Sequence, residues 1–247
     1  MEFKGKTAIV TGGGRDIGRA CALRLAQAGA NVAINYFSSS AGATATVEEI
    51  VAAGGNAFAL QGDLSRPDQV QALVAQTVET FGGIDILVNN AGGLLARKTV
   101  SEMSLEHWQA VMDVNLTSTF LMIKACLPHM TEGAIINLAS QAGRDGGGPG
   151  AVAYATSKGA VMTLTRGLAK ELGPGIRVNA LCPGMIDTDF HNIFTKDEVR
   201  RNVAAATPLK REGTPEDIAA LVCFLASKDA AFITGANVDI NGGMLFS

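Results

Sequence analysis

The chain has 247 residues, 47% of them hydrophobic and 17% charged, with a formal net charge of −3. That length suits one α/β domain (1–247) and buries enough surface to need no disulfide or metal staple. The apolar content excludes a disordered chain or a coiled coil, the 29 glycines follow no collagen period, and no basic run is long enough to hold a nucleic-acid backbone.

At the start, Met1 to Lys6 runs straight into Ala8-Ile9-Val10, so no signal peptide is expected. No run of about 18 uncharged apolar residues is present, so no membrane span is expected either. The first strand is read at Thr7–Val10, followed by a glycine-rich turn and a helix near Ile17–Ala28. A second strand at Asn31–Tyr36 leads to a helix over Ala43–Ala53, ended by Gly54-Gly55. Ala57–Leu60 is the third strand, and Pro67–Phe81 a helix with its proline in the first turn. Ile84–Val88, apolar but for Asp85, is the fourth strand, and Ser104–Met130 a helical stretch interrupted near Val114-Asn115. Strands at Ala134–Leu138, Ile176–Leu181 and Asn237–Ile240 alternate with helices at Val152–Leu172 and Pro215–Ala226. Met185–Lys210 is polar and reads as an irregular loop. Apolar strands alternating with helices predict a doubly wound, mostly parallel seven-stranded sheet covered on both faces. Ligands of such sheets bind at the carboxyl ends of the strands, which puts the 185–210 loop beside the substrate. Cys21, Cys126, Cys182 and Cys223 are far apart and form no CxxC pair. They read as reduced, buried thiols of a cytoplasmic protein, with no metal site.

Two clusters carry chemistry. After the first strand comes Thr11-Gly12-Gly13-Gly14-Arg15-Asp16-Ile17-Gly18, a strand-to-helix turn whose backbone N–H groups suit a pyrophosphate. Further on, Tyr154 and Lys158 stand four residues apart on one helix face. Two unit charges about 4 Å apart interact by roughly 4 kcal/mol at an effective dielectric near 20. An ammonium held there is expected to lower the tyrosine pKa by about three units at most, fitting it for proton exchange with a carbonyl or alcohol. Ser140 after the fifth strand and Asn115 in the interrupted helix fall at the same end of the sheet.

These motifs, with Asp63-Leu64, Asn89-Asn90-Ala91-Gly92, Pro183-Gly184 and Asn241-Gly242-Gly243, resemble the single-domain short-chain dehydrogenase/reductases over the whole chain. The resemblance implies that Tyr154 is the general acid/base and that Lys158 lowers its pKa and holds the nicotinamide ribose. It further implies that Ser140 hydrogen-bonds the substrate oxygen and Asn115 anchors a relay water. The implied dinucleotide site comprises Gly12, Gly14, Arg15, Asp16, Ile17, Ser38, Asp63, Leu64, Asn90, Ala91, Gly92, Val114, Pro183, Gly184, Ile186 and Thr188, with Tyr154 and Lys158. Asp16 replaces a family glycine and is read as an N-cap of the following helix. The second strand ends in Asn35-Tyr36-Phe37-Ser38 without the acid that selects NAD. Arg15 matches a phosphate, so NADPH is preferred to NADH.

For the substrate, a resemblance to reductases of sugar-derived keto or aldehyde acids, uronate products included, rests on several loops. These are Asn90–Gly93 followed by Arg97-Lys98, Gly146–Gly150, and Asp187–His191. Gly93, Arg97, Arg144 and His191 are the expected substrate residues, and Arg97, Lys98, Arg144 and His191 could supply charge for a carboxylate. The alternative is a 3-oxoacyl-(acyl-carrier-protein) reductase. The places matching its carrier-docking helices, His129–Gly133 and Leu172–Gly175, contain no Lys or Arg, which argues against a carrier-protein partner. A non-catalytic dinucleotide sensor is the remote alternative, opposed by the presence of all four catalytic positions. The expected assembly is a homotetramer built on the long helices.

Overall fold

The computed structural model describes residues 2–246; Met1 and Ser247, the ends of the expected domain, lie outside the described residues. Its strands are β1 (Thr7–Val10), β2 (Asn31–Tyr36), β3 (Ala57–Gln61), β4 (Ile86–Asn89), β5 (Gly133–Leu138), β6 (Ile176–Pro183) and β7 (Asn237–Ile240). They form one sheet in the order β3-β2-β1-β4-β5-β6-β7, and every neighbouring pair is parallel. The helices are α1 (Asp16–Gln27), α2 (Ser40–Ala52), α3 (Pro67–Phe81), α4 (Leu105–Met112), α5 (Ser118–Cys126), α6 (Ala142–Asp145), α7 (Val152–Leu172), α8 (Asp189–Phe194), α9 (Asp197–Ala206) and α10 (Pro215–Ala226).

Alternate side chains of a strand point to opposite faces, and this splits the core in two. Ala8 and Val10 of β1, Ile86 and Val88 of β4, and Ala134 and Ile136 of β5 pack with Leu25, Ile50, Ile218 and Val222 of α1, α2 and α10. Ile9, Leu87 and Ile135, from the same three strands, pack with Leu73, Val74, Met122 and Ile123 of α3 and α5. Burying one such side chain fully is worth about 1.5–3 kcal/mol. Local signals set the helix ends. Pro67 opens α3 and Gly82, at φ 88°, closes it; Thr214 and Asp217 form a reciprocal capping box on α10.

The interruption expected near Val114-Asn115 is a π-helical turn, Asp113–Thr117, between α4 and α5. Its extra residue turns Asn115 inward, where it is fully buried. By length and composition the run Leu105–His129 could cross a membrane, yet it is interrupted by that turn and packs on α3, α7 and β4.

The expected irregular loop at Met185–Lys210 is a correction: it folds into α8 and α9. Neither helix has a buried residue, because both lie at the rim of the sheet and cover a cleft rather than the core. Polar sequence therefore marked an exposed helical lid as loop.

Candidate active site

Sheet order reverses between β1 and β4, and the crevice opens there at the carboxyl ends of the strands. The Thr11 hydroxyl accepts the N–H groups of Asn90 and Ala91, both at 2.9 Å. Asn90 Nδ2 donates back to the carbonyls of Thr11 (3.0 Å) and Gly12 (3.2 Å). These bonds stitch the turn after β1 to the loop after β4. From the other side, Asn35 Oδ1 accepts from Gly12 N–H at 3.4 Å and Asn35 Nδ2 donates to the Gly62 carbonyl at 3.0 Å. Thr11 and Asn35 are additional to the expected site residues; the partners named here lie 23 to 80 positions away, beyond any local pattern. At Gly18 a Cβ would overlap the Gly12 carbonyl oxygen, so only glycine lets α1 start this close to the turn.

The cavity measures about 1260 Å³. Gly12, Arg15, Asp16, Ile17, Ser38, Asp63 and Leu64 line one end of it. Asn90, Ala91, Gly92, Gly93 and Val114 line its middle, with Ser140, Tyr154 and Lys158. Pro183, Gly184, Ile186, Thr188, Arg97 and His191 complete the expected set found in the wall. Gly14 is a correction: it spaces the turn from α2, where a Cβ would meet the Ser39 hydroxyl at 2.5 Å, and it does not line the cavity. Asn115 stands behind the wall, its Nδ2 donating to the carbonyls of Gly93 and Val111, both at 2.8 Å, and its Oδ1 accepting from Gly93 N–H at 3.0 Å. The side chain thus positions the Gly92-Gly93 strip.

Tyr154 and Lys158 rise from the first turns of α7, and Lys158 Nζ lies 5.7 Å from the Tyr154 ring centroid. Burial pulls the Lys158 ammonium down to about 8, and its Nζ donates to the Leu138 carbonyl at 2.6 Å. The predicted lowering of the Tyr154 pKa is a correction. Burial pushes the phenol up and the Ser140 hydroxyl opposes that rise, while Lys158 lies over the ring and directs a hydrogen bond to the Leu138 carbonyl.

The expected cap at Asp16 is also corrected. Arg15 occupies the N-cap position, Asp16 is the first helical residue at φ 49°, and no side chain caps α1. Asp16 Oδ1 instead accepts from Asp189 N–H at 3.3 Å. Two of the carboxylate-reading candidates fail as well. Arg144 Nε binds Asp239 Oδ1 at 2.6 Å and its Nη2 binds the Asn237 carbonyl at 2.6 Å, tying α6 to β7 outside the cavity. The His191 imidazole, held down at about 4 by burial and next by Arg200, is neutral at pH 7. Lys98 does not line the cavity, which leaves Arg97; its Nε and Nη1 donate to the carbonyls of Phe194 (3.0 Å) and Pro149 (2.9 Å). Phe190 of the lid lies against Tyr154 with centroids 5.7 Å apart. It falls within the Asp187–His191 stretch singled out in the sequence, but its place against Tyr154 comes from the α8 helix that a polar sequence does not announce.

A family profile described as Enoyl-(Acyl carrier protein) reductase matches residues 12–245. Glucose 1-dehydrogenase 2 of Bacillus subtilis is 41% identical over 251 residues, covering 98% of this chain and 96% of that protein. The chain belongs to the short-chain dehydrogenase/reductase family. A 3-oxoacyl-(acyl-carrier-protein) reductase of Staphylococcus aureus is 43% identical over 243 residues, covering 97% of this chain and 98% of that one. Among solved structures, a blue fluorescent protein from a metagenomic library in complex with NADPH superposes with a TM-score of 0.93 at 39% identity over 100% of both chains. A short-chain dehydrogenase from Burkholderia cenocepacia in complex with NADP gives 0.93 at 37% identity over 99% of both. As a member of this family the chain is an NAD(P)-dependent oxidoreductase.

The cleft fits such a dinucleotide on its own geometry. At Gly92 a Cβ would stand 2.5 Å from Asn115 Oδ1 and 3.2 Å from Lys158 Nζ, so the bare backbone keeps the floor beside Lys158 free. No acid lines the cavity at the end of β2, where it is bordered by Phe37, Ser38, Ser39 and Arg15.

Proposed function

We propose that the protein reduces a ketone carried on an apolar chain, using NADPH, with a 3-oxoacyl thioester as the representative substrate. The observation that carries this is the lid. Phe190, Ile193, Phe194, Val199 and Val203 of α8 and α9 line the cavity in which Ser140, Tyr154 and Lys158 meet. An apolar wall beside those groups favours burying hydrocarbon. The bound cofactor supplies the hydride. Tyr154 gives its phenolic proton to the carbonyl oxygen, and the Ser140 hydroxyl orients that oxygen. Lys158 borders the strip at Gly92, where a ribose hydroxyl would find its donors. The absence of basic residues at the expected carrier-docking places supports a small thioester or free ketone over a protein-bound acyl group.

The second reading, a keto or aldehyde acid such as a uronate-derived sugar, now rests on Arg97 alone among the expected cations. The two are separated by following NADPH oxidation with acyl thioesters of increasing length and with keto acids. Apolar burial predicts that kcat/KM rises about fourfold per added methylene, from about 0.8 kcal/mol each. A flat length series, with a preference for keto acids that Arg97→Ala abolishes, would establish the acid reading instead. NADPH preference is tested at Arg15: Arg15→Ala should raise KM for NADPH about tenfold or more while leaving KM for NADH nearly unchanged, since only the former carries a 2′-phosphate. Equal effects on both cofactors would reject the phosphate role.

A homotetramer is proposed as the assembly, supported by Phe120 of α5, Val152 of α7 and Phe224 of α10, large apolar side chains left exposed on the outer helices. Light scattering at micromolar concentration should give four times the chain mass; a monomer there would reject it.

A further inference from the structure

The cofactor turn and the substrate lid are joined by one polar chain. Asp16 Oδ1 accepts from Asp189 N–H at 3.3 Å, and Arg15 Nη1 lies 3.4 Å from Asp189 Oδ2. Asp189 Oδ1 accepts from Asn192 Nδ2 at 3.3 Å, and Asn192 Oδ1 from Arg200 Nη1 at 2.5 Å. Arg200 then binds Asp187 Oδ1 at 2.6 Å and both Glu212 oxygens at 2.8 and 2.7 Å. So the turn after β1, the segment after β6, both lid helices and the approach to α10 are held together through side chains.

Asp16 is the costly link. It adopts φ 49°, a left-handed conformation in which glycine is free of strain and aspartate is not. It also places a partly buried carboxylate at the start of α1, beside the cleft where the cofactor diphosphate would lie. The carboxylate favours the α1 dipole from its first turn, but it caps no α1 N–H, and the left-handed backbone gives the helix nothing. The only hydrogen bond that the Asp16 carboxylate makes among the described residues goes to the lid.

We propose that Asp16 is a positioning residue: a latch that fastens lid helix α8 to the glycine turn and so holds the lid shut over the bound dinucleotide. The latch rests on the dinucleotide reading of the cleft. Release of the cofactor then requires the Asp16–Asp189 bond to open, and Phe190, one residue along, leaves Tyr154 with it.

Three proteins decide the matter: the parent, Asp16→Gly and Asp16→Asn. Glycine removes the acceptor and relieves the backbone. Asparagine keeps an acceptor oxygen and tolerates the left-handed conformation. Hydrogen exchange of the ligand-free proteins is read at Asp189–Ala206, and NADPH release by stopped-flow fluorescence. Asp16→Gly is expected to speed exchange across the lid and to release NADPH about tenfold faster, as the loss of one hydrogen bond to a charged group implies. Its melting temperature should not fall. Asp16→Asn should restore parental behaviour in both measurements. Unchanged lid exchange in Asp16→Gly would overturn the latch, and slower NADPH release would show that Asp16 repels the diphosphate instead. A protein that binds no NADPH would refute the cofactor proposal, while the exchange measurement would still decide the latch.

Discussion

Tyr154→Phe is expected to lower turnover by at least about 10²-fold, the scale of a lost general acid, with the fold and NADPH affinity retained. Phenylalanine keeps the ring that lies against Phe190 and under Lys158, so the packing of α7 and the lid is preserved. What goes is the one hydroxyl placed beside Ser140 to protonate the carbonyl. Steady-state kcat with a 3-oxoacyl thioester, alongside a fluorescence titration with NADPH, checks both halves. Turnover within a few-fold of the parent would remove Tyr154 from the chemistry.

Lys158→Met should cost still more activity, roughly 10³-fold in kcat/KM, because the cofactor contact and the charge beside Tyr154 both disappear. The parent's stability should also depend on pH through this lysine. Lys158 titrates near 8 in the folded chain against an ordinary value of 10.5, with burial as the first cause. Between those values the unfolded chain binds a proton that the folded chain has released. Parent stability therefore rises with pH across that window, by at most about 1.4 kcal/mol per unit, and below the folded pKa the buried charge is a burden on the fold. Lys158→Met carries no such proton and should lose this slope. Urea denaturation from pH 7 to 10.5 reads it directly. Parallel curves for parent and variant would mean that Lys158 is not buried as its 5% exposure indicates.

Much of the architecture was legible in the residues because it follows from short-range periodicity. A run such as Thr7–Val10 has apolar side chains on both faces, so it belongs between two helical layers, and the structure buries all four. The four-residue spacing of Tyr154 and Lys158 places them together on any helix, and the glycine turn demands a close approach whatever surrounds it. Even the break at Asn115 was visible, since Asp113-Val114-Asn115 interrupts an otherwise regular apolar pattern.

The pairing of charges was decided elsewhere. Arg144, Asp16 and His191 each looked available for a ligand or a cap. Arg144 is consumed by Asp239, 95 positions on; Asp16 reaches Asp189, 173 positions on; His191, on the cleft side of α8, is held neutral by desolvation and the nearby Arg200. The same holds for Tyr154, whose pKa depends on how deeply it is covered and on the Ser140 hydroxyl beside it. Helical and strand periods are properties of a few consecutive residues. The charge state and partner of a polar side chain depend on desolvation and on groups that only the folded sheet brings near, so the sequence determined the scaffold and the catalytic spacing, and the tertiary structure decided which cations are free to meet a substrate.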